Sequence, residues 1–251
     1  MTKIKFLGTA SAWPIPRIGC KCKVCKSKDK KDIRTRPSLL IKNKGKNILI
    51  DVSPDFHQQA LKENLTRIDA ILITHAHEDH IGGLDDLNEI YKLNKKTITL
   101  FTKRRIFRLI NIEYPWMFDK VLKFRPLKKA FKIDNLEIDY FVVEHSVFTI
   151  GYIFKIRGKK IIYAPDCNGV KRKEKIMNPD ILIIDSTKEF NKQNSNGHFS
   201  VKNSIKFAKE IRAKKTYLTH FDHHSTHKKL QKKVSKIGNF EVAYDGLKIE
   251  V

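Results

Sequence analysis

The chain has 251 residues, of which 41% are hydrophobic and 31% charged, and a formal net charge of +24. That length suits one large domain or two small ones, and the composition excludes a disordered chain. No apolar run approaches the roughly 20 residues of a membrane helix, and the first dozen residues lack the apolar stretch of a signal peptide, so a cytoplasmic protein is expected.

Residues 3–8 predict an opening strand, followed over 9–37 by a long polar loop. That loop holds Cys20, Cys22 and Cys25, three of the four cysteines. Thiols crowded into six residues staple a fold poorly and point instead to a metal in a reducing compartment. The apolar, β-branched runs 38–42 and 47–51 flank Asn43-Lys44-Gly45-Lys46, which is hairpin chemistry. Pro54 stands where a helix can begin, with Phe56, Ala60 and Leu61 as its apolar face. Residues 69–74 predict a fully buried strand, and an amphipathic helix follows from Gly82 through Leu84, Leu87, Ile90 and Tyr91. Further strands are expected at 97–101, 137–143, 152–156, 160–164, 181–184, 216–218 and 246–251, with helices at 201–212 and 226–237. No repeat, low-complexity tract or linker divides the chain, which predicts one domain over 1–251 built from sheet and helix layers. The polar residues His75, Asp166, Asp185 and His220 fall at the ends of these strands, where a sheet presents a site.

The most informative stretch is Thr74-His75-Ala76-His77-Glu78-Asp79-His80-Ile81-Gly82-Gly83. His75, His77, Asp79 and His80 lie within six residues directly after a buried strand, too many polar groups for a core to absorb. Imidazole and carboxylate together suit zinc, manganese or iron. On a loop they can turn two ways, His75 and His77 toward one ion and Asp79 and His80 toward another. The pattern His-x-His-x-Asp-His after a hydrophobic strand resembles the signature of the metallo-β-lactamase superfamily. That family's fold is an αββα sandwich, in the α/β class, with its metals at one edge. The resemblance runs from Gly8-Thr9 to Tyr244-Asp245-Gly246. It implies that His145 completes the first ligand set and His220 the second, with Asp166 bridging the two. Asp51, Asp185 and Asp245 stay open between orienting a ligand imidazole and capping a turn. Cys167 is expected as a core thiol, and His57, His224 and His227 at helix surfaces or loop ends.

A tetrahedral structural zinc wants four protein ligands, and the cysteine loop supplies three. Cys167 abuts Asp166, so His223, three residues beyond His220, is the better fourth ligand. Three cysteines and one histidine would then pin the irregular loop at about 9–37. A C-x-C-x-x-C loop with a later histidine looks like the branch holding phosphoribosyl 1,2-cyclic phosphate phosphodiesterase and the pyrroloquinoline quinone biosynthesis protein PqqB. Similarity to that phosphodiesterase marks His198, in Asn196-Gly197-His198-Phe199-Ser200, as a substrate-proximal residue. A helix-entry histidine beside a serine cap is the alternative.

The resemblance implies two divalent ions, zinc or manganese, that share a water and make hydroxide available near neutral pH for attack on phosphorus. His198 would give a proton to, or stabilise, the leaving oxygen. Asp79 and Asp166 together favour two filled sites and phosphoester chemistry, and the resemblance of the cysteine loop implies a metal-dependent phosphoric diester hydrolase acting on a small, cyclic ester. Two other enzymes share the scaffold: an RNA-processing nuclease related to tRNase Z, and a hydrolase of acyl or thioester substrates. A non-catalytic accessory protein is disfavoured by the intact ligand set. The nuclease's substrate-gripping arm would fall between His145 and Asp166, where only 20 residues lie. The +24 charge favours nucleic acid, but 40 of the 51 basic residues are dispersed lysines, and bidentate phosphate recognition favours Arg. A small phosphodiester is therefore the expected partner and nucleic acid the runner-up; no membrane is expected, and a homodimer stays open.

Overall fold

The computed structural model describes residues 2–192 and 197–251; Asn196, part of the His198 motif, lies outside them. Strands β1 (Lys3–Gly8), β2 (Ser38–Asn43) and β3 (Lys46–Ile50) form an antiparallel meander. The β2–β3 hairpin closes because Lys44 and Gly45 both adopt left-handed backbone, φ 45° and 73°, which matches the twist of the flanking strands. Strands β4 (Ala70–Leu72), β5 (Ile98–Thr102) and β6 (Leu122–Pro126) then continue from β3 in parallel.

The second sheet begins with an antiparallel series, β7 (Phe131–Ile133), β8 (Leu136–Val143), β9 (Thr149–Ile156) and β10 (Lys159–Ala164). It goes on in parallel through β11 (Ile181–Asp185), β12 (Lys215–Thr219) and β13 (Phe240–Val242). Strand β14 (Lys248–Glu250) returns to the first sheet, whose order is β14-β1-β2-β3-β4-β5-β6. The second sheet has the order β13-β12-β11-β10-β9-β8-β7. Between His145 and Asp166 the chain makes only β9, a two-residue turn at Arg157 and Gly158 (φ 50° and 75°), and β10. No arm is inserted there.

Among the described residues the helices are α1 (Phe56–Lys62), α2 (Glu78–Ile81), α3 (Leu87–Asn94), α4 (Arg104–Glu113), α5 (Met117–Lys120), α6 (Val201–Glu210) and α7 (His227–Val234). Helix α5 packs on β6, α6 on β11 and β12, and α7 on β13. The sheets meet across one large apolar cluster that includes Leu40, Ile48 and Ile50 from the first and Tyr152, Phe154 and Tyr163 from the second. Strand β11 shows why its sequence is an unbroken apolar run: Ile181 and Ile183 join that inner cluster, while Leu182 and Ile184 join a second cluster beneath α6 with Val201 and Ile205. Burying each such side chain is worth roughly 1.5–3 kcal/mol. Two mixed sheets flanked by helices are the expected αββα sandwich.

Helices α2, α4 and α5 and strands β6, β7 and β13 are additions to the expected elements, so Asp79 and His80 stand on a short helix rather than on a loop. The α4 sequence is rich in β-branched isoleucine, which weakens helix propensity, yet Ile106 and Ile110 stand one turn apart and are both buried. The 9–37 loop is more ordered than its composition suggests. It makes a parallel bridge Ala10↔Phe221, an antiparallel bridge Ile15↔Arg34 and a single 3-10 turn at Lys30–Asp32. Ala10, Ile15 and Val24 form a small core of their own. Among the described residues no helix is long and apolar enough to cross a membrane.

Candidate metal centre

The parallel halves of the two sheets open toward the same edge, and the carboxyl ends of parallel strands are where open sheets hold ligands. Asp51 follows β3, His75 follows β4, His145 follows β8, Asp166 follows β10 and His220 follows β12. Asp51 and His220 hold left-handed backbone, φ 59° and 61°, a conformation costing non-glycine residues on the order of 1–3 kcal/mol. Strain of this kind persists where surrounding bonds over-determine the geometry.

Two donor sets meet at Asp166. In the first, His75 Nε2 lies 3.0 Å from His77 Nδ1 and 3.7 Å from Asp166 Oδ2. His145 Nε2 completes it, 3.3 Å from His77 Nδ1 and 3.6 Å from the same oxygen. In the second, His80 Nε2 lies 3.3 Å from Asp79 Oδ2 and 3.0 Å from Asp166 Oδ1. His220 Nε2 is 3.6 Å from Asp79 Oδ2 and 3.1 Å from Asp166 Oδ1. Donors each about 2.0–2.2 Å from one ion at tetrahedral angles stand roughly 3.3–3.6 Å apart, so both sets are spaced for a divalent metal.

A second observation agrees with that fit. His80 Nε2, His220 Nε2 and Asp166 Oδ1 are buried with no hydrogen-bond partner among the described residues. Buried polar atoms cost about 1–3 kcal/mol each when left unpaired. Converging on one point, they are donors aimed at a cation. Burial keeps His75 well below the ordinary histidine pKa, in the neutral form whose lone pair can bind metal. The histidines around Asp166, His220 foremost, hold its carboxyl well below the usual range against the effect of burial.

For His75, His80, His145 and His220 the opposite ring nitrogen is occupied. His75 Nδ1 donates to Thr74 Oγ1 at 3.0 Å, and that hydroxyl donates to Asp51 Oδ2 at 2.9 Å. Asp51 Oδ2 also accepts from His80 Nδ1 at 2.8 Å. His145 Nδ1 donates to the Gly197 carbonyl at 2.9 Å. His220 Nδ1 donates to Thr187 Oγ1 at 2.8 Å, which in turn donates to Asp185 Oδ1 at 2.6 Å. Each bond fixes one tautomer and leaves Nε2 free to bind. Asp51 and Asp185 are thus orienting groups, whereas Asp245 accepts from Thr9 Oγ1 and from Thr35 and is structural. Sequence reasoning missed Thr74, Thr187 and the Gly197 carbonyl. The two threonines carry a usable signal, each sitting beside a strand-end site residue.

His198 stands beside the second set. Its ring stacks on His220 with centroids 5.2 Å apart, and Nδ1 donates to Asp185 Oδ2 at 2.7 Å. Burial by itself would lower its pKa, but the Asp185 carboxylate outweighs that and raises it to about 9. Cys167 is fully buried in the apolar cluster under α6, as expected of a core thiol. His57 is exposed on α1, but His227 is not a surface residue: it is buried at the start of α7 with Nδ1 3.4 Å from the Arg34 guanidinium.

At the loop, Cys20, Cys22 and Cys25 place their sulfurs 3.4, 3.5 and 3.4 Å from His223 Nδ1. Three thiols around one imidazole at this spacing match a tetrahedral zinc site. The Cys25 amide donates to Cys22 Sγ at 3.4 Å and is the main cause holding that thiol down to about 6, whereas burial pushes Cys25 up to about 11.

Residues 46–221 match the model of the beta-lactamase superfamily domain. The chain belongs to the beta-lactamase superfamily. It is a metallo-β-lactamase-fold hydrolase whose His/Asp clusters suit divalent metal. A crystal structure of a diphosphatase from the PhnP family superposes with a TM-score of 0.91 and 29% identity, covering 100% of this chain and 98% of that one. Ribonuclease Z from Archaeoglobus fulgidus is 25% identical over 280 positions, covering 87% of this chain and 86% of that protein. That alignment is longer than this chain, so the ribonuclease carries insertions that this superfamily member lacks. An octanoyltransferase from Porphyromonas gingivalis is 55% identical over 86 residues, which span 34% of this chain and only 18% of that protein.

Proposed function

We propose that this hydrolase cleaves a small, cyclic phosphodiester in the cytoplasm with two divalent ions, zinc or manganese, and that a third ion, zinc, is structural. The observation that carries the reading is Asp166, with Oδ2 directed at His75 and His145 and Oδ1 at His80 and His220. His75, His77, His145 and Asp166 would hold one ion; Asp79, His80, His220 and Asp166 the other. Such a pair supplies Lewis acidity for the phosphoryl oxygens and lowers the pKa of water toward about 7.

The chain's own groups do the rest. Thr74, Asp51, Thr187 and the Gly197 carbonyl keep the imidazoles in register. His198, charged at neutral pH and aligned by Asp185, is placed to hold a phosphoryl oxygen and to pass the proton on its free Nε2 to the departing alkoxide. Phosphoryl chemistry in the PhnP-family diphosphatase supports this reading, and the two-residue β9–β10 turn supports a small substrate over a gripped RNA.

The test is metal analysis of the purified protein together with a screen of cyclic and linear phosphodiesters. Two transition-metal ions beyond the loop zinc and turnover of the small esters are expected. Metal-loaded protein inert to every phosphodiester would overturn the proposal. One observation favours a second reading, hydrolysis of acyl esters or thioesters: the 55% identity to part of an octanoyltransferase. Turnover of an octanoyl thioester in the same screen, without phosphodiester cleavage, would select it.

A further inference from the structure

Strand β7 pairs with β8 only as far as Phe131↔Ile138, and the next contact on that side among the described residues is the isolated bridge Glu144↔Gly169. The outer edge of β8 between them is open. A cleft of about 1000 Å³ runs along this edge and ends against His145 and Ser146, beside the first donor set. Its apolar shelf is Val142, Val147 and Phe148. Val142 is 52% exposed and Val147 36%, so the shelf is apolar surface left without a partner.

The rim is basic. Arg105 reaches in from the first turn of α4, with its guanidinium 5.2 Å from the Phe148 ring centroid, and Lys171 and Arg172 stand opposite. Glu144 and Glu174 also line the cleft, and Lys175 is tied to Asp139 at 2.8 Å. Among the described residues Arg105, Lys171 and Arg172 have no carboxylate within 4.0 Å, whereas Arg17, Arg36 and Arg67 are each spent on an ion pair. Arginine forks free of carboxylates beside a site for phosphoryl chemistry are matched to further phosphate oxygens. A guanidinium layered on an aromatic ring above aliphatic side chains offers a flat surface for a heterocycle.

We infer that this cleft is a nucleotide subsite, so that the substrate is a phosphodiester carrying a nucleoside with a further phosphate, base on the Val142–Val147–Phe148 shelf and phosphate on Arg105 and Arg172. This rests on the proposed phosphodiester chemistry only for the position of the scissile bond. A bare ribose cyclic phosphate would leave most of the cleft empty. The volume is at the upper end of the roughly 300–1,000 Å³ typical of small-ligand pockets, which suits one nucleotide rather than a strand.

The experiment measures binding and turnover separately on the metal-loaded protein. Calorimetry compares adenosine monophosphate with ribose 5-phosphate, and kinetics compare a phosphorylated adenosine cyclic phosphodiester with a base-free cyclic phosphodiester. The mononucleotide should bind at least about tenfold more tightly, the low end of what stacking one base contributes. Arg105→Ala and Arg172→Ala, both at exposed positions, should each weaken binding of both phosphate-bearing ligands about tenfold and lower the nucleotide-to-base-free ratio of kcat/KM. Phe148→Ala should instead reduce the preference for the mononucleotide about tenfold, with circular dichroism checking its fold because that ring also packs on the core. Equal affinity for the two ligands, or affinities untouched by both arginine variants, overturns the subsite whether or not phosphodiesters are cleaved. Nucleotide binding that the variants abolish, in a protein inert to all phosphodiesters, supports the subsite and sinks the diesterase. Affinity that climbs with oligonucleotide length and falls steeply with salt also overturns it, in favour of a strand.

Discussion

Asp166 and His198 lie in the same cleft edge but fail differently when removed. Asp166→Ala takes one oxygen from each donor set, so activity should vanish together with bound metal, measured by elemental analysis. His198→Ala leaves both sets intact, and a lost general acid typically costs ~10²–10⁴-fold in kcat at unchanged metal content. Metal loss in that variant would place His198 among the ligands. His227 gives a prediction unrelated to the centre. Burial, and then the neighbouring Arg34, lower its pKa to about 4 from an ordinary 6.5. The folded state therefore takes up its proton less readily than the unfolded chain. The stability from keeping it neutral is full above pH 6.5 and is lost as pH falls toward about 4. His227→Gln should flatten the dependence of the urea midpoint on pH across that window, and an unchanged slope would refute the assignment. The ligands themselves were legible because their types and spacing are rare. Of the groups behind them, Asp51 and Asp185 were open candidates, whereas Thr74, Thr187 and the Gly197 carbonyl were missed, since a hydroxyl or a backbone carbonyl leaves no compositional trace.

Among the elements, the strands that were legible are those whose apolar runs are buried on both faces, such as β4 and β11. Short edge strands such as β7 and β13 are three residues each and carry no comparable run. The cysteine loop is a third case, because its order comes from side-chain convergence rather than from backbone ladders. Its four ligands would tie residues 20–25 to the segment after β12, and its own apolar core is only Ala10, Ile15 and Val24. Metal-binding energy in such a loop is folding energy. Cys22→Ser should therefore lower bound zinc by one equivalent and reduce the melting temperature or soluble yield. Wild-type stability with wild-type zinc would show that the cluster is not a structural site.

For the whole molecule the +24 charge is the quantity that local geometry does not explain. Long-range attraction of an anion by a basic surface raises on-rates and fades with ionic strength, even when the site holds one small molecule. Cleavage of a small cyclic ester should therefore weaken only gently with salt. A nuclease gripping single-stranded RNA should instead lose affinity with a log–log slope of about −0.7 per contacted phosphate. Efficient RNA cleavage with that slope, and no turnover of small esters, would reverse the choice of substrate. The segment after β12 carries a consequence at this same scale. His220 belongs to the second donor set and His223 to the cysteine cluster, with Phe221 between them bridged to Ala10. Whichever ion arrives first orders that shared stretch for the next. If both sites fill as proposed, occupancy of the cysteine cluster and of the paired site should be cooperative, and thermodynamic reciprocity would make the coupling equal in both directions. A mild chelator that strips one population should loosen the other, so metal release from the intact protein is expected to be steeper than three independent equilibria allow.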